Sequence, residues 1–320
     1  MSKCKIAIVG ATGLVGQTIL KVIYEEGLFE SCSITMYVSS KSAGKEYLFK
    51  GKVFRLVELN ESALNLRFDI VLFSAGAAVS KMWANKFVET GAVVIDNSSA
   101  FRGYENIPLV VPEINGRLVC KDTKLIANPN CSTIELAVVL DKLKNLGKFE
   151  KVVVSTYQSV SGAGRKAVCD LKYGTNIYFK NGIKDNIIPQ IGDIDENGYS
   201  NEENKIMFEL SKILNQKINV SAPAVRVPIF VCHGESVYIK FENEINLIDA
   251  FKELECDYID FSEKDLFFAT DIAGTNKTTV SRIRQINKNE LEFFVLADNL
   301  RRGAADNAVK IAKIIIQNYL

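Results

Sequence analysis

The chain has one histidine, His233, in 320 residues. Chemistry that needs a side chain titrating near neutral pH has a single imidazole to draw on. There is no C-x-x-C pair: the seven cysteines, at 4, 32, 120, 131, 169, 232 and 256, are odd in number and scattered. That spacing excludes a zinc knuckle and a disulfide framework, so we expect no metal site and a reducing, cytoplasmic setting. No apolar run is long enough to span a bilayer. The opening Met1-Ser2-Lys3-Cys4-Lys5 leads directly into a strand pattern, without the apolar stretch of a signal peptide. Neither charge sign is in excess. A formal net charge of +1 argues against a nucleic-acid partner and against a membrane-binding surface.

What is present is ordinary globular material, 48% apolar and 24% charged, enough for one large or two ordinary domains. The first third alternates. Residues 5–9, 34–38, 69–73, 92–95 and 124–127 read as strands, and 15–26 and 81–90 as helices. Such alternation builds a parallel sheet covered by helices on both faces. After Cys131 the character changes: 152–157, 222–242, 278–286 and 291–296 are strand-rich with few helices between them. The expected class is α/β plus α+β. A dinucleotide-binding domain spans 1–128, and a mostly antiparallel catalytic and dimerisation domain spans 129–299. A last helix over 301–319, with Ala304, Ala308, Ile311, Ile314 and Ile315 on one side, rejoins the first domain.

Gly10-Ala11-Thr12-Gly13-Leu14-Val15-Gly16 lies between the first strand and the first helix. It is a variant of the Rossmann fingerprint, whose glycines allow a tight turn and let backbone N–H groups approach a pyrophosphate. Gly10, Thr12, Gly13, Leu14 and Val15 are therefore the expected cofactor contacts. The second strand ends at Ser39-Ser40-Lys41-Ser42-Ala43-Gly44-Lys45, with no carboxylate for a ribose 2′-hydroxyl. The hydroxyls and lysines there suit a 2′-phosphate, so Ser39, Lys41 and Ser42 point to NADP(H) over NAD.

Cys131 follows Asn128-Pro129-Asn130 and precedes an apolar-periodic segment. Pro129 disfavours helix before it, which puts Asn130 or Cys131 at an N-cap. Leu136, Val139, Leu140 and Leu143 mark one buried helix face. A thiol at a helix N-terminus is expected to have its pKa pulled from ~8.5 toward ~7 or lower, which makes it a candidate nucleophile. Gln158 is followed by small residues, among them Ser161 and Gly162, that would let a flat ring approach the backbone. Arg226 and His233 are seven apart. On a regular strand that spacing puts them on opposite faces, unless Pro228 and Gly234 break the strand.

Together these segments resemble the aspartate-semialdehyde dehydrogenase family over essentially the whole chain. The shared motifs are the G-A-T-G-x-V-G loop, S-x-x-S-A-G-K, F-S-A-G, D-N-S-S-A-F-R, N-P-N-C-S-T, Y-Q-S-V-S-G-A-G, N-x-I-P-Q-I, E-E-x-K, R-V-P with its histidine, and D-N-L-R-x-G-A-A. The resemblance implies reversible reduction of L-4-aspartyl phosphate by NADPH to aspartate semialdehyde and phosphate, in a homodimer or homotetramer. It implies Cys131 as the nucleophile that forms a thioester, His233 as the acid–base residue and Gln158 as the residue orienting substrate. It also implies Arg226 on the substrate α-carboxylate, Glu202 near its amino group, Arg102 and Lys205 on phosphate, and Asn299 near the nicotinamide. The residue types agree: a thiolate is both a strong nucleophile and a good leaving group, and basic side chains suit an anion.

Three positions depart from the family pattern. Gly234 stands where a serine is frequent, Lys41 where an arginine is, and Ala77 where a second glycine is. Lys41 would meet a 2′-phosphate as a point charge without a bidentate fork. N-acetyl-glutamyl-phosphate reductases share the plan, but their cysteine is usually followed by aromatic and proline residues; here Ser132 and Thr133 follow. The same scaffold also suits a short-chain acyl-CoA reductase or a non-catalytic dinucleotide-binding sensor. The intact set of Cys131, Gln158, Arg226 and His233 argues against the sensor.

Overall fold

A computed structural model describes residues 3–320. The chain divides into two compact units. One runs through Pro129 and resumes at Ala304–Leu320; the other is Asn130–Gly303.

In chain order the first unit holds β1 (Cys4–Val9), α1 (Leu14–Glu25), β2 (Cys32–Val38), β3 (Glu46–Phe49), β4 (Lys52–Arg55), β5 (Val57–Glu58), β6 (Ile70–Phe73), α2 (Ala77–Glu89), β7 (Val93–Asp96) and β8 (Leu125–Ala127). Six of the strands form an all-parallel sheet in the order β5-β2-β1-β6-β7-β8. All of β6 and β7 is buried, as are the last four residues of β1. These near-continuous apolar runs belong to strands covered on both faces. Ile6, Ile8 and Leu72 share one core with Ile19, Leu20 and Ile23 of α1 and with Ala308, Ile311 and Ile315 of the closing helix, Asp306–Tyr319. β3 and β4 form a hairpin that the apolar pattern does not announce. Its turn is Lys50-Gly51, both at positive φ, the conformation that matches the twist of a two-residue hairpin.

The strand order reverses beside β1, so its carboxyl end is the switch point of the sheet. Gly10 turns the chain there with φ +80°, and the amides of Gly10 and Ala11 donate to the Tyr37 carbonyl at 3.0 and 3.1 Å. Gly16, one turn into α1, packs so closely that a Cβ would run into the Gly10 carbonyl oxygen and the Ala11 backbone. The closing helix is tied in by Asn307, whose Nδ2 donates to Asn128 Oδ1 at 2.7 Å and to the Val110 carbonyl at 2.8 Å. Ahead of that helix, 301–305 form a π turn in place of the expected α-helix. The Gly303 amide reaches back five residues to the Asp298 carbonyl, at 3.1 Å.

The second unit holds α3 (Cys131–Leu143), β9 (Phe149–Gln158), α4 (Arg165–Tyr173), α5 (Asn201–Ile213), β10 (Val220–Ser221), β11 (Ala224–Arg226), β12 (His233–Phe241), α6 (Leu247–Leu254), β13 (Ile259–Phe261), β14 (Thr278–Asn287) and β15 (Glu290–Ala297). Its sheet runs β10-β9-β12-β15-β14-β13, with β11 also paired to β9. The long central strands are antiparallel; β10 and β11 lie parallel to β9, and β13 parallel to β14. The parallel members are two or three residues long, too short to leave a periodic signal. α3 is buried from Ser132 to Leu140 and packs against the sheet as well as against α5 and α6. Periodicity marks only one of its faces because it cannot register a second cover.

The glycine loop yields a stability prediction. Gly16→Ala should destabilise the protein by about 1–3 kcal/mol, because the intruding methyl meets backbone that cannot rotate away. Thermal unfolding checks it, and an unchanged Tm would refute the packing argument.

Candidate active site

Residue 158 ends β9, and both neighbouring strands present a residue opposite it: Arg226 on β11 and His233 on β12. Residues paired across strands share a face, so Arg226, Gln158 and His233 stand in one row. They do not belong to one bent strand. Residues 227–232 carry the chain from one edge of β9 to the other, which removes the parity conflict raised by their odd spacing.

α3 brings its first residue onto that row. Cys131 Sγ lies 3.2 Å from His233 Nε2 and 3.8 Å from Asn130 Oδ1, and the Ser132 backbone amide also reaches it. Asn130 is the N-cap, but its side chain does not cap the helix. Its Nδ2 instead donates to Glu202 Oε1 at 2.6 Å and to Ser132 Oγ at 3.0 Å, while its backbone amide donates to Glu209 at 2.6 Å. Gln158 Nε2 donates to the same Glu202 oxygen at 3.0 Å and to Ser132 Oγ at 3.3 Å.

Glu202 is delivered by α5, whose start is set by a capping box between Ser200 and Glu203. Lys205, one turn on, pairs with Glu202 Oε2 at 3.2 Å. Arg226 Nη1 donates to the Ser159 carbonyl at 2.6 Å, and the residue also borders a cavity of about 230 Å³ with Tyr178, Phe179, Gln190 and Ile191. The wall residues Tyr178 and Phe179 hang from Asp170, whose carboxylate accepts their backbone amides and that of Ile177 at 2.7–2.8 Å.

Ser161 and Asn299 are buried and bonded to each other at 3.0 Å. A Cβ on Gly162 would lie 3.4 Å from Arg226 Nη1 and 3.6 Å from His233 Nε2, so the absence of a side chain keeps that approach open. Arg102 belongs to the first unit. There its Nε donates to the Asn128 carbonyl and its Nη2 to that of Asn97, each at 2.9 Å.

The electrostatics of the thiol reverse the expectation from the helix terminus. Burial pushes the Cys131 pKa up, and Glu202 and Glu135 add to the rise; the Ser132 amide and Arg226 oppose it without prevailing. Burial also acts on Glu202, but Lys205, the bonds from Asn130 and Gln158, and Arg226 outweigh it and hold that carboxylate at about 2. His233 is lowered to about 3, by burial first and Arg226 second. The free protein therefore presents a neutral thiol beside a neutral imidazole. Below them Glu135 and Glu235 are fully buried, and their carboxyl oxygens make no hydrogen bond among the described residues. Burial raises both well above the usual carboxylate range, Glu235 adding to the rise at Glu135 and Glu202 to that at Glu235.

In the first unit a cavity of about 530 Å³ opens at the switch point, bordered by Gly10, Thr12, Gly13, Ser39, Ser40 and Glu58. No side chain caps the start of α1 at Gly13, and Leu14 and Val15 open its first turn. A glycine cradle and an uncapped helix start fit a dinucleotide pyrophosphate. Lys41 and Ser42 lie in the turn after β2, where the Ser42 amide donates to the Ser39 carbonyl at 3.0 Å. Sequence reading misses Glu58. It is paired with Val38 at the end of a two-residue edge strand that carries no pattern of its own. Asn130 is equally missed as a functional side chain, although it sits inside the N-P-N-C-S-T motif. Among the described residues no group of three or more His, Cys, Asp or Glu could hold a metal ion, and no helix is long and apolar enough to cross a membrane.

The two units find their counterparts in the two domains of the semialdehyde dehydrogenases. Residues 5–121 match the NAD binding domain of semialdehyde dehydrogenase, and residues 140–302 its dimerisation domain. The chain is 43% identical to the aspartate-semialdehyde dehydrogenase of Aquifex aeolicus, covering 99% of both chains, and 39% identical to that of Bacillus subtilis, covering 96% of both. A crystal structure of aspartate semialdehyde dehydrogenase II from Vibrio cholerae superposes with a TM-score of 0.93 at 37% identity over 100% of both chains. The chain belongs to the aspartate-semialdehyde dehydrogenase family.

A raised thiol pKa sets the pH profile of alkylation, because the thiolate is the reactive form. Iodoacetamide labelling of Cys131, followed by peptide mass, should still be climbing past about pH 8.5. Glu202→Gln removes the negative neighbour and should shift the profile to lower pH. A plateau below about pH 7 in the free protein would refute the burial argument.

Proposed function

We propose that the protein catalyses the reversible, NADPH-dependent reductive dephosphorylation of L-4-aspartyl phosphate to L-aspartate 4-semialdehyde, in the aspartate pathway toward lysine, threonine, methionine and diaminopimelate. The observation that carries this reading is the 3.2 Å approach of Cys131 Sγ to His233 Nε2, at the end of the row formed with Gln158 and Arg226. The V. cholerae enzyme also has a crystal structure in complex with ASA.

Each charge on such a substrate has a counterpart. Arg226 takes the α-carboxylate as a buried guanidinium with a directional fork. Glu202, ionised at neutral pH, faces the amino group, and Gln158 orients the acyl carbon. Lys205 and Arg102 hold the phosphate. Cys131 attacks the acyl phosphate; the C–S bond forms as the C–O bond breaks, leaving a thioester on the protein and phosphate free. His233 is the imidazole that serves the sulfur and the carbonyl oxygen beside it. A nicotinamide dinucleotide supplies or accepts the hydride when bound. Gly10, Thr12, Gly13, Leu14 and Val15 are the residues that would hold it, with Ser39, Lys41 and Ser42 at the 2′-phosphate, and with Ser161, Gly162 and Asn299 as the second unit's contacts. Glu58 borders the same cavity and opposes a phosphate there, so the preference for NADP over NAD is modest. The working assembly in this reading is a homodimer or homotetramer in the cytoplasm.

The test is NADP reduction with aspartate semialdehyde, with and without phosphate. Activity should require phosphate, and kcat/KM should favour NADP. Cys131→Ala should abolish turnover. His233→Asn should lower kcat by about two to four orders of magnitude with little effect on cofactor affinity. Lys205→Ala should mainly raise the KM for phosphate. CoA-dependent activity without phosphate would instead identify an acyl-CoA reductase, and a preference for the N-acetylated glutamate analogue would identify the neighbouring reductase.

A further inference from the structure

Asp170 lies in the last turn of α4 and is fully buried, and the chain beyond the helix folds back onto it. Gly174 makes that reversal: it holds φ +67°, and its amide donates to the Asp170 carbonyl at 2.8 Å. Four donors then fill the carboxylate. Oδ1 accepts the Thr175 hydroxyl at 2.7 Å and the Ile177 amide at 2.8 Å; Oδ2 accepts the amides of Tyr178 and Phe179 at 2.7 and 2.8 Å. Burial disfavours the charge, but these bonds outweigh it and hold the carboxyl at about 2. A segment with no helix or strand of its own is thereby pinned at three successive residues.

The same segment runs on to two charged residues of the site. Phe179 packs on a small apolar cluster of Val160, Ala167 and Ile183, and the Tyr178 ring meets it edge-on with centroids 4.8 Å apart. Ile188 then bridges to Arg226: the Ile188 amide donates to the Arg226 carbonyl at 3.0 Å, and the Arg226 amide to the Ile188 carbonyl at 2.8 Å. The Glu202 amide donates to the Ile191 carbonyl at 3.2 Å. Tyr178 and Arg226 both border the cavity of about 230 Å³. Tyr178 is about half exposed, at 51%, so its ring is not used up in the core. Burial works against the Arg226 charge, while Glu202, Cys131 and Tyr178 favour it, which puts the phenol within electrostatic reach of the guanidinium.

We propose that Tyr178 is a specificity-determining wall of the Arg226 subsite, and that Asp170 is the positioning residue that sets it there. The inference deepens the proposed function and rests on it, since it takes Arg226 as the partner of the substrate α-carboxylate. Cys131 fixes where the acyl carbon must lie. A rigid ring at the carboxylate end then limits what the α-carbon can carry. One carbon against an apolar wall is worth about 10- to 200-fold in kcat/KM. The ring can supply that discrimination only if its backbone is held, and a loop without a ladder cannot hold itself. One carboxylate that satisfies three successive amides does so.

Steady-state kinetics of the full chain with aspartate semialdehyde and its α-methyl analogue test this. Tyr178→Ala should raise the KM for aspartate semialdehyde about tenfold, with a smaller change in kcat and none in the KM for NADP or phosphate. It should also cut the discrimination against the analogue by about tenfold or more. Tyr178→Phe keeps the ring and should keep the discrimination; its loss there would overturn the wall. Asp170→Asn retains a single acceptor oxygen and should reproduce the Tyr178→Ala pattern. The double variant should be no worse than Tyr178→Ala alone, because both changes act through one wall. Additive effects, or an Asp170→Asn defect confined to kcat, would overturn the positioning role. Tyr178 lies outside the core, so its variants fold. Unmoved KM and discrimination in Tyr178→Ala would overturn the proposal even if Asp170→Asn failed to fold. A wild-type protein without phosphate-dependent oxidation of aspartate semialdehyde would instead refute the reaction itself, a result distinct from normal turnover with variants that change nothing.

Discussion

Gln158 faces two strands at once, and the site is a consequence of that register. β11 runs parallel to β9 and ends opposite residue 158; β12 runs antiparallel and begins opposite it. A guanidinium, an amide and an imidazole thereby line up on one face of the sheet. Because side chains alternate with a period of two, a slip of one residue on either neighbour would send its member of the row to the opposite face. α3 lies across this sheet with its N-terminal residue at the row, so the position of the sulfur is set by the packing of a whole buried helix. Gly303 contributes as well: a Cβ there would meet the backbone and Cβ of Cys131.

Two opposing effects act on that sulfur, and their magnitudes decide the outcome. A helix terminus contributes at most about 2 kcal/mol to a charge in its first turn, or about one and a half pKa units. Full burial of a charge can shift a pKa by roughly 3–5 units. Here burial is joined by the negative charge of Glu202, and the thiol stays neutral. The helix end still supplies the Ser132 amide, which favours negative charge at the sulfur once a substrate alters the surroundings.

Glu202 is the second organising group. One of its oxygens accepts from Asn130, Ser132 and Gln158, and the other from Lys205. A carboxylate this deep is tolerable only because its acceptor sites are filled, so the network is stiff as well as charged. It joins α5, the start of α3 and the end of β9, the three elements that must agree for the thiol to meet the imidazole. Asp170 plays a comparable structural part at the 177–179 loop, where backbone amides compensate its burial.

The alternation of apolar runs, the glycine loop and the motifs around Cys131 and His233 were legible in the order of residues, because they follow from local periodicity and turn chemistry. So was the family. The hairpin at 46–55, the parallel edge strands β10, β11 and β13, and the π turn at 301–305 were not, since each is short and held by partners distant in sequence. The residues of the thiol site were also legible as a set. Their roles toward one another were not: that Arg226 and His233 flank Gln158 from opposite sides, that Asn130 serves Glu202 in place of the helix end, and that Glu58 borders the cofactor cavity. Sequence alone determined which chemical groups are available. Tertiary structure decided their burial and their partners, because both depend on neighbours brought together from as far apart as 131 and 233.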